Sequence, residues 1–172
     1  MTDITDMTEF IKEYHYINER KDDIFFMNKA IENANNSDGG PFGAVIIRDN
    51  KIISNGNNKV TVDNDPSAHA EIVAIRNACK ELNTFNLEGC SIYTSCEPCP
   101  MCLAACYWAR IDKIYYSNTR VDAANIGFSD DFIYKELEKS NDAKCLPIIK
   151  VDNKEAIKTF ERWAANTNKV KY

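Results

Sequence analysis

The chain reads as an α/β protein in which a mixed sheet of five strands carries helices on both faces. Three observations predict this. Two β-rich runs, FGAVIIR (Phe42–Arg48) and KIISNG (Lys51–Gly56), flank Asp49 and Asn50, a hairpin signal. After the hairpin, helical and strand patterns alternate, so part of the sheet is parallel and both faces are covered. There is no internal repeat and no low-complexity tract, and 172 residues suffice for one core.

The elements follow in order. Residues 1–20 form a polar lead that no pattern assigns to a fold, and residues 21–172 make one domain. Asp22–Asn36 puts Ile24, Met27 and Ile31 on one helical stripe, with acids at its start. SDGGP (Ser37–Pro41) ends that helix, and the hairpin comes next. A loop over Asn57–Ser67 leads to a helix in Ala68–Leu82, where Ile72, Ile75 and Cys79 recur at helical spacing. Cys90–Ser95 is a short buried strand. Pro100 suits a first helical turn, where its missing N–H costs nothing, so Pro100–Arg110 is helical. Asp112–Ser117 is a strand, Asn118–Asp131 a loop and Phe132–Lys139 a short helix. LPIIKV (Leu146–Val151) is the fifth strand. Asn153–Asn166 closes the chain as a helix with Ile157, Phe160 and Ala164 on one stripe.

Composition excludes several classes. Apolar residues make up 44% and charged residues 27%, as in an ordinary globular chain. A dispersed net charge of −5 argues against a nucleic-acid surface, which needs clustered Lys and Arg. No apolar stretch approaches ~18 residues, so no membrane span is expected. The first residues are polar and acidic, unlike a secretory or transit leader. The seven cysteines are an odd number, which argues against a disulfide framework. A reducing, cytoplasmic location follows, where grouped cysteines serve metals or catalysis.

Four of those cysteines stand in TSCEPCPMCLAAC (Thr94–Cys106), spaced C-x-x-C-x-x-C-x-x-x-C. That spacing is similar to an iron–sulfur loop, but such loops need a second cysteine run and a proline after the fourth cysteine. Here Tyr107 follows, and Cys79, Cys90 and Cys145 stand alone. His69-Ala70-Glu71 precedes Pro98 by 26 intervening residues, completing H-x-E…P-C-x-x-C, a pattern known from zinc deaminases. Catalytic zinc needs three protein ligands and one open position, and His69, Cys99 and Cys102 supply the three. Cys99 and Cys102 lie three apart at a helix start, so both sulfurs can face one ion, and the helix N-terminus favours their thiolates. Glu71 is left for proton transfer, from water to a leaving nitrogen. On an ideal helix His69 and Glu71 point nearly oppositely, at ~100° per residue, so their cooperation requires an irregular helix start or a reaching Glu71. Singly, each residue has a plain reading: His69 as a cap, Glu71 as a dipole partner, the cysteines as core. The joint match to one template outweighs these. Cys96 and Cys106 fall outside it and read as buried, inert thiols.

The stretches Gly39–Ile46, Asn64–Glu71, Tyr93–Cys102, Tyr107–Arg110 and Asp122–Glu136 together resemble the bacterial-type guanine deaminases of the cytidine deaminase superfamily. That resemblance implies the three-layer α/β/α deaminase fold, one Zn²⁺ per chain, a purine base as substrate, and hydrolysis of guanine to xanthine and ammonia. It also implies a homodimer that can exchange its C-terminal segments. By position, Asn58 matches a base-reading amide, Phe42 and Trp108 match aromatic pocket walls, Asp130 matches a second catalytic acid, and Tyr172 matches a terminal aromatic that closes the site. Each keeps a plain alternative: Asn58 as a turn residue, Asp130 as an N-cap, Phe42 and Trp108 as core, Tyr172 as a loose end. Guanosine, cytosine and tRNA-adenosine deamination remain as alternatives within the superfamily, with a non-catalytic zinc module beyond it. The intact Glu71 argues against the last, since structural zinc needs no proton shuttle.

Overall fold

β1 (Gly43–Arg48) and β2 (Lys51–Asn57) form the expected antiparallel hairpin. Asp49 and Asn50 turn it with φ of 51° and 56°, the paired left-handed conformations of a tight hairpin turn that Asp and Asn tolerate. The structure is a computed structural model that describes residues 4–172, with side chains described at 8, 9, 11–13, 16 and 21–172. The chain divides into two compact units, Met1–Ser129 and Asp130–Tyr172.

In the first unit β1 also pairs antiparallel with β3 (Cys90–Cys96), and β3 pairs in parallel with β4 (Lys113–Asn118). The strand order is β2-β1-β3-β4. One face packs on α1 (Ile4–Asn35) through Phe26, Ala30, Val45, Ile47 and Tyr93. The other packs on α3 (Ala70–Glu81) and α4 (Pro100–Trp108) through Ala44, Ile46, Ala70, Ala74, Ala78, Ile92 and Cys106. Three layers result, with alternate residues of β1 and β3 divided between the two faces.

Several expectations are corrected. α1 begins at Ile4, inside the lead that had no assigned fold, and Met1–Asp3 lie outside the described residues. Its buried stripe is Phe26, Ala30 and Ala34, while Ile24 and Ile31 are exposed. Backbone contact explains the choice: a Cβ on Gly43 would lie 2.2 Å from the Ala30 carbonyl oxygen and 2.3 Å from the Ala34 nitrogen. Only small residues let helix and strand approach so closely. Gly56 repeats the arrangement on the other face, where a Cβ would meet the Ala70 oxygen at 2.2 Å. The loop after the hairpin contains α2 (Val60–Asp63), and the loop after β4 contains α5 (Arg120–Asn125). A reciprocal Thr119–Asp122 capping box starts α5.

The second unit holds α6 (Asp131–Glu138), a 3₁₀ turn at Asn141–Ala143 and α7 (Lys154–Ala165). The fifth strand is not formed: the sheet has four strands among the described residues, and Leu146–Val151 is irregular and exposed. Pro147 removes a ladder donor from that run, and no strand of its own unit lies beside it. Ile157, Phe160 and Trp163 of α7 are exposed.

The tight helix–strand contact gives a stability prediction. Gly43→Ala should lower the unfolding free energy by about 1–3 kcal/mol, because its methyl group meets backbone that cannot swing aside. Urea denaturation of the two proteins measures it.

Candidate active site

α3 and α4 both begin on residues that are not themselves helical. His69 is the N-cap of α3, with φ −67° and ψ 157°. Cys99 is the N-cap of α4, with φ −65° and ψ 168°. The opposition expected between His69 and Glu71 on an ideal helix therefore disappears, since only Glu71 is inside the helix.

The loop before α3 is tied by its own side chains. Asp65 Oδ1 accepts from the Ser67 backbone N–H at 2.8 Å and from the Ser67 hydroxyl at 2.6 Å. Those bonds hold the Asp65 carboxyl below the usual carboxylate range. Lys59 N–H donates to the Ala68 carbonyl at 2.9 Å, and the first helical bond runs from Val73 N–H to the His69 carbonyl at 2.9 Å. Before α4, Glu97 N–H donates to the Asn118 carbonyl at 2.8 Å, fastening the cysteine loop to the end of β4. Pro100 occupies the first turn of α4, as its missing N–H predicts.

These two entries bring His69 Nδ1, Cys99 Sγ and Cys102 Sγ within 4.8 Å of one another. Nδ1 lies 3.6 Å from each sulfur. A tetrahedral ion at about 2.3 Å from sulfur and about 2.1 Å from nitrogen has an N···S edge of about 3.6 Å. The donor set therefore fits zinc in spacing as well as in chemistry. Two thiols and an imidazole are borderline-soft donors, and three ligands leave a fourth position open. The Cys99 thiol is lowered to about 4, chiefly by the hydrogen bond from Cys102 and also by His69. The Cys102 thiol is pushed up, first by its bond to Cys99 and then by burial and by Glu71.

Glu71 is 6% exposed, and burial raises its carboxyl above the usual range. Its Oε2 lies 3.4 Å from Cys102 Sγ, and its Oε1 accepts from the Thr94 hydroxyl at 3.2 Å. A carboxylate beside the donor set, but outside it, is placed for proton transfer. Sequence reasoning missed Thr94. It lies inside the recognised TSCEPCPMC stretch, and the one available signal was a hydroxyl on the strand face that otherwise carries Cys90 and Ile92. Cys96 and Cys106 are buried as expected, and burial pushes Cys106 up to about 12.

The remaining candidates divide by unit. Asn58 is buried, and its Oδ1 accepts from Val60 N–H at 3.0 Å, so the turn reading describes half of this side chain. The same bond fixes the orientation of the amide and leaves Nδ2 as its donor end. Phe42 stacks edge-on against Phe128 at 5.0 Å and 88°, a partner that sequence reasoning also missed. Trp108 ends α4, about 13 Å along the axis from Cys99, and is 66% exposed. It is therefore not core in the single chain. Asp130 stands at the N-cap of α6 and makes no side-chain cap bond. Tyr172 is exposed at the end of the second unit. A separate cavity of about 360 Å³ lies toward the start of β3, beside Asp23, Tyr93 and Lys113, and contains none of the donor triad.

A four-stranded mixed sheet with His, Cys and Cys at two converging helix starts defines a class of zinc-dependent deaminases. Residues 20–118 match the model for the cytidine and deoxycytidylate deaminase zinc-binding region, and the chain belongs to that family. Within it, the chain is 50% identical over 143 residues to the guanine deaminase of Bacillus subtilis, covering 83% of this chain and 92% of that protein. The X-ray structure of guanine deaminase from Bacillus subtilis superposes with a TM-score of 0.83 at 47% identity, covering 86% of this chain and 97% of that one. The tRNA-specific adenosine deaminase of Aquifex aeolicus is 48% identical over 77 residues, which are 45% of this chain and 51% of that protein.

Purified protein should be colourless and hold about one zinc per chain, and His69→Ala should lose most of it. Metal analysis and an absorbance spectrum check this. A brown protein with acid-labile sulfide would return the cysteine run to iron–sulfur chemistry.

Proposed function

We propose that this protein hydrolyses guanine to xanthine and ammonia, using one zinc ion per chain. The observation that carries the reading is the extent of similarity to a guanine deaminase, 92% of whose length is matched at 50% identity. Similarity to the tRNA-specific enzyme of Aquifex aeolicus covers 45% of the chain. The net charge of −5 also offers little to a tRNA backbone.

His69, Cys99 and Cys102 would hold the zinc. When bound, the ion supplies Lewis-acid activation of the attacking water. Glu71 takes a proton from that water as its oxygen bonds to the ring carbon bearing the amino group. It then delivers the proton to the amino nitrogen, the C–N bond breaks and ammonia leaves. Burial raises the Glu71 carboxyl above the usual carboxylate range, which favours its taking up the proton that it then delivers to the leaving nitrogen. Asn58 Nδ2 is the proposed reader of the base, held in orientation by the bond to Val60. Phe42, braced by Phe128, is a proposed wall.

Trp108, Asp130 and Tyr172 are proposed as further contacts to the base, together with a homodimer that exchanges C-terminal segments. The uncovered apolar residues of α6 and α7, among them Phe132, Ile133, Phe160 and Trp163, support an exchanged second unit. We further propose one deaminase domain over residues 21–172 preceded by a lead of 20 residues, supported by the family match beginning at residue 20. Cytoplasmic location is proposed because the seven cysteines are free thiols.

Glu71→Gln should keep zinc and fold while lowering kcat by about 10² to 10⁴-fold. Ammonia release from guanine, guanosine, cytosine, cytidine and adenine tests both claims. Guanine should be turned over fastest by the unaltered enzyme, and a faster nucleoside or cytosine would replace the substrate assignment.

A further inference from the structure

We propose that Thr94 is a positioning residue for Glu71, its hydroxyl anchoring one carboxylate oxygen so that the other is aimed at the metal site. The inference rests on the guanine deaminase reading and deepens it.

Cys90, Ile92 and Thr94 alternate onto the face of β3 that meets α3 and α4. Cys90 and Ile92 there pack among Ala44, Ile46, Ala74 and Cys106. Valine would satisfy such surroundings better than threonine, since a buried hydroxyl is costly without a partner. Thr94 is 1% exposed, and its hydroxyl is spent on Glu71 Oε1 at 3.2 Å. The sheet, not a loop, sets the position of that hydroxyl: Thr94 stands opposite Ala44 on β1 and Tyr116 on β4.

The Glu71 carboxyl also takes a hydrogen bond from its own backbone N–H, which ties it to the helix start but not to the sheet. It sits in the first turn of α3 on a side chain with three torsions. Its two oxygens are divided, Oε1 to Thr94 and Oε2 toward Cys102 Sγ at 3.4 Å. Once Cys102 serves as a metal ligand it is a thiolate with no proton to donate. Thr94 then remains as a side-chain donor to Glu71. Without the hydroxyl, Oε1 loses its bond to the sheet, and the carboxylate is free to turn about its own torsions. A displacement of that kind, about 1 Å at a reacting group, costs up to about 10²-fold in rate.

The test compares Thr94→Val and Thr94→Ser in zinc-loaded enzyme, with guanine as substrate. Thr94→Val keeps the shape and removes the hydroxyl. It should lower kcat roughly ten- to a hundredfold, with KM within about twofold and zinc content unchanged. Thr94→Ser keeps the hydroxyl and should recover most of the loss. A valine variant with full kcat overturns the proposal, and so do valine and serine variants that lose activity equally, since packing would then be the cause. Failure of the unaltered enzyme to act on guanine would instead overturn the reading on which this inference rests.

Discussion

Everything chemical in this chain depends on two helices that begin at one place. His69 caps α3 and Cys99 caps α4, both with extended backbone, and from those positions Nδ1 comes to 3.6 Å from two sulfurs. Helix N-termini carry unpaired N–H groups and partial positive charge, so two of them facing one point favour anionic ligands there. The Cys99 thiol is lowered to about 4, chiefly by the hydrogen bond from Cys102. Moving either helix by a turn would separate the donors by ~5 Å, beyond the reach of any single ion.

The sheet enforces that convergence. α3 lies against β2 through Gly56 and Ala74, and α1 lies against β1 through Gly43, Ala30 and Ala34, at distances that exclude a Cβ on either glycine. Both glycines sit at the same end of the hairpin, next to the Phe42–Asn58 backbone bond of 3.1 Å. Phe42 and Asn58, two of the proposed contacts to the base, are thereby carried on a closely packed end of the hairpin. β3 does the same for the far side of the site: it delivers Thr94 to Glu71 and then leads into Cys99.

Much of this was legible in the sequence where chemistry and local geometry coincide. The His69, Cys99 and Cys102 pattern was readable because metal ligation demands particular atoms at particular spacings, and Glu71 stood at a set offset from His69. The hairpin was readable because Asp49-Asn50 suits left-handed backbone. Periodicity failed where backbone proximity outranks hydrophobicity. The stripe through Ile24 and Ile31 is more apolar than one through Ala30 and Ala34, yet the small residues face the sheet. It failed again at Leu146–Val151, where an apolar run is necessary for a strand but a paired neighbour is what makes one. Thr94 escaped notice because its role exists only once β3 and α3 are side by side.

The central claim is that the His69–Cys99–Cys102 centre is catalytic and not merely a staple for the fold. Titration of zinc into metal-free protein, with guanine turnover and circular dichroism followed together, addresses it most directly. Turnover should rise from zero in proportion to bound zinc and stop at one ion per chain, over a folded baseline provided by the three-layer core. Full turnover in zinc-free protein would contradict the account, as would zinc that restores folding without restoring turnover.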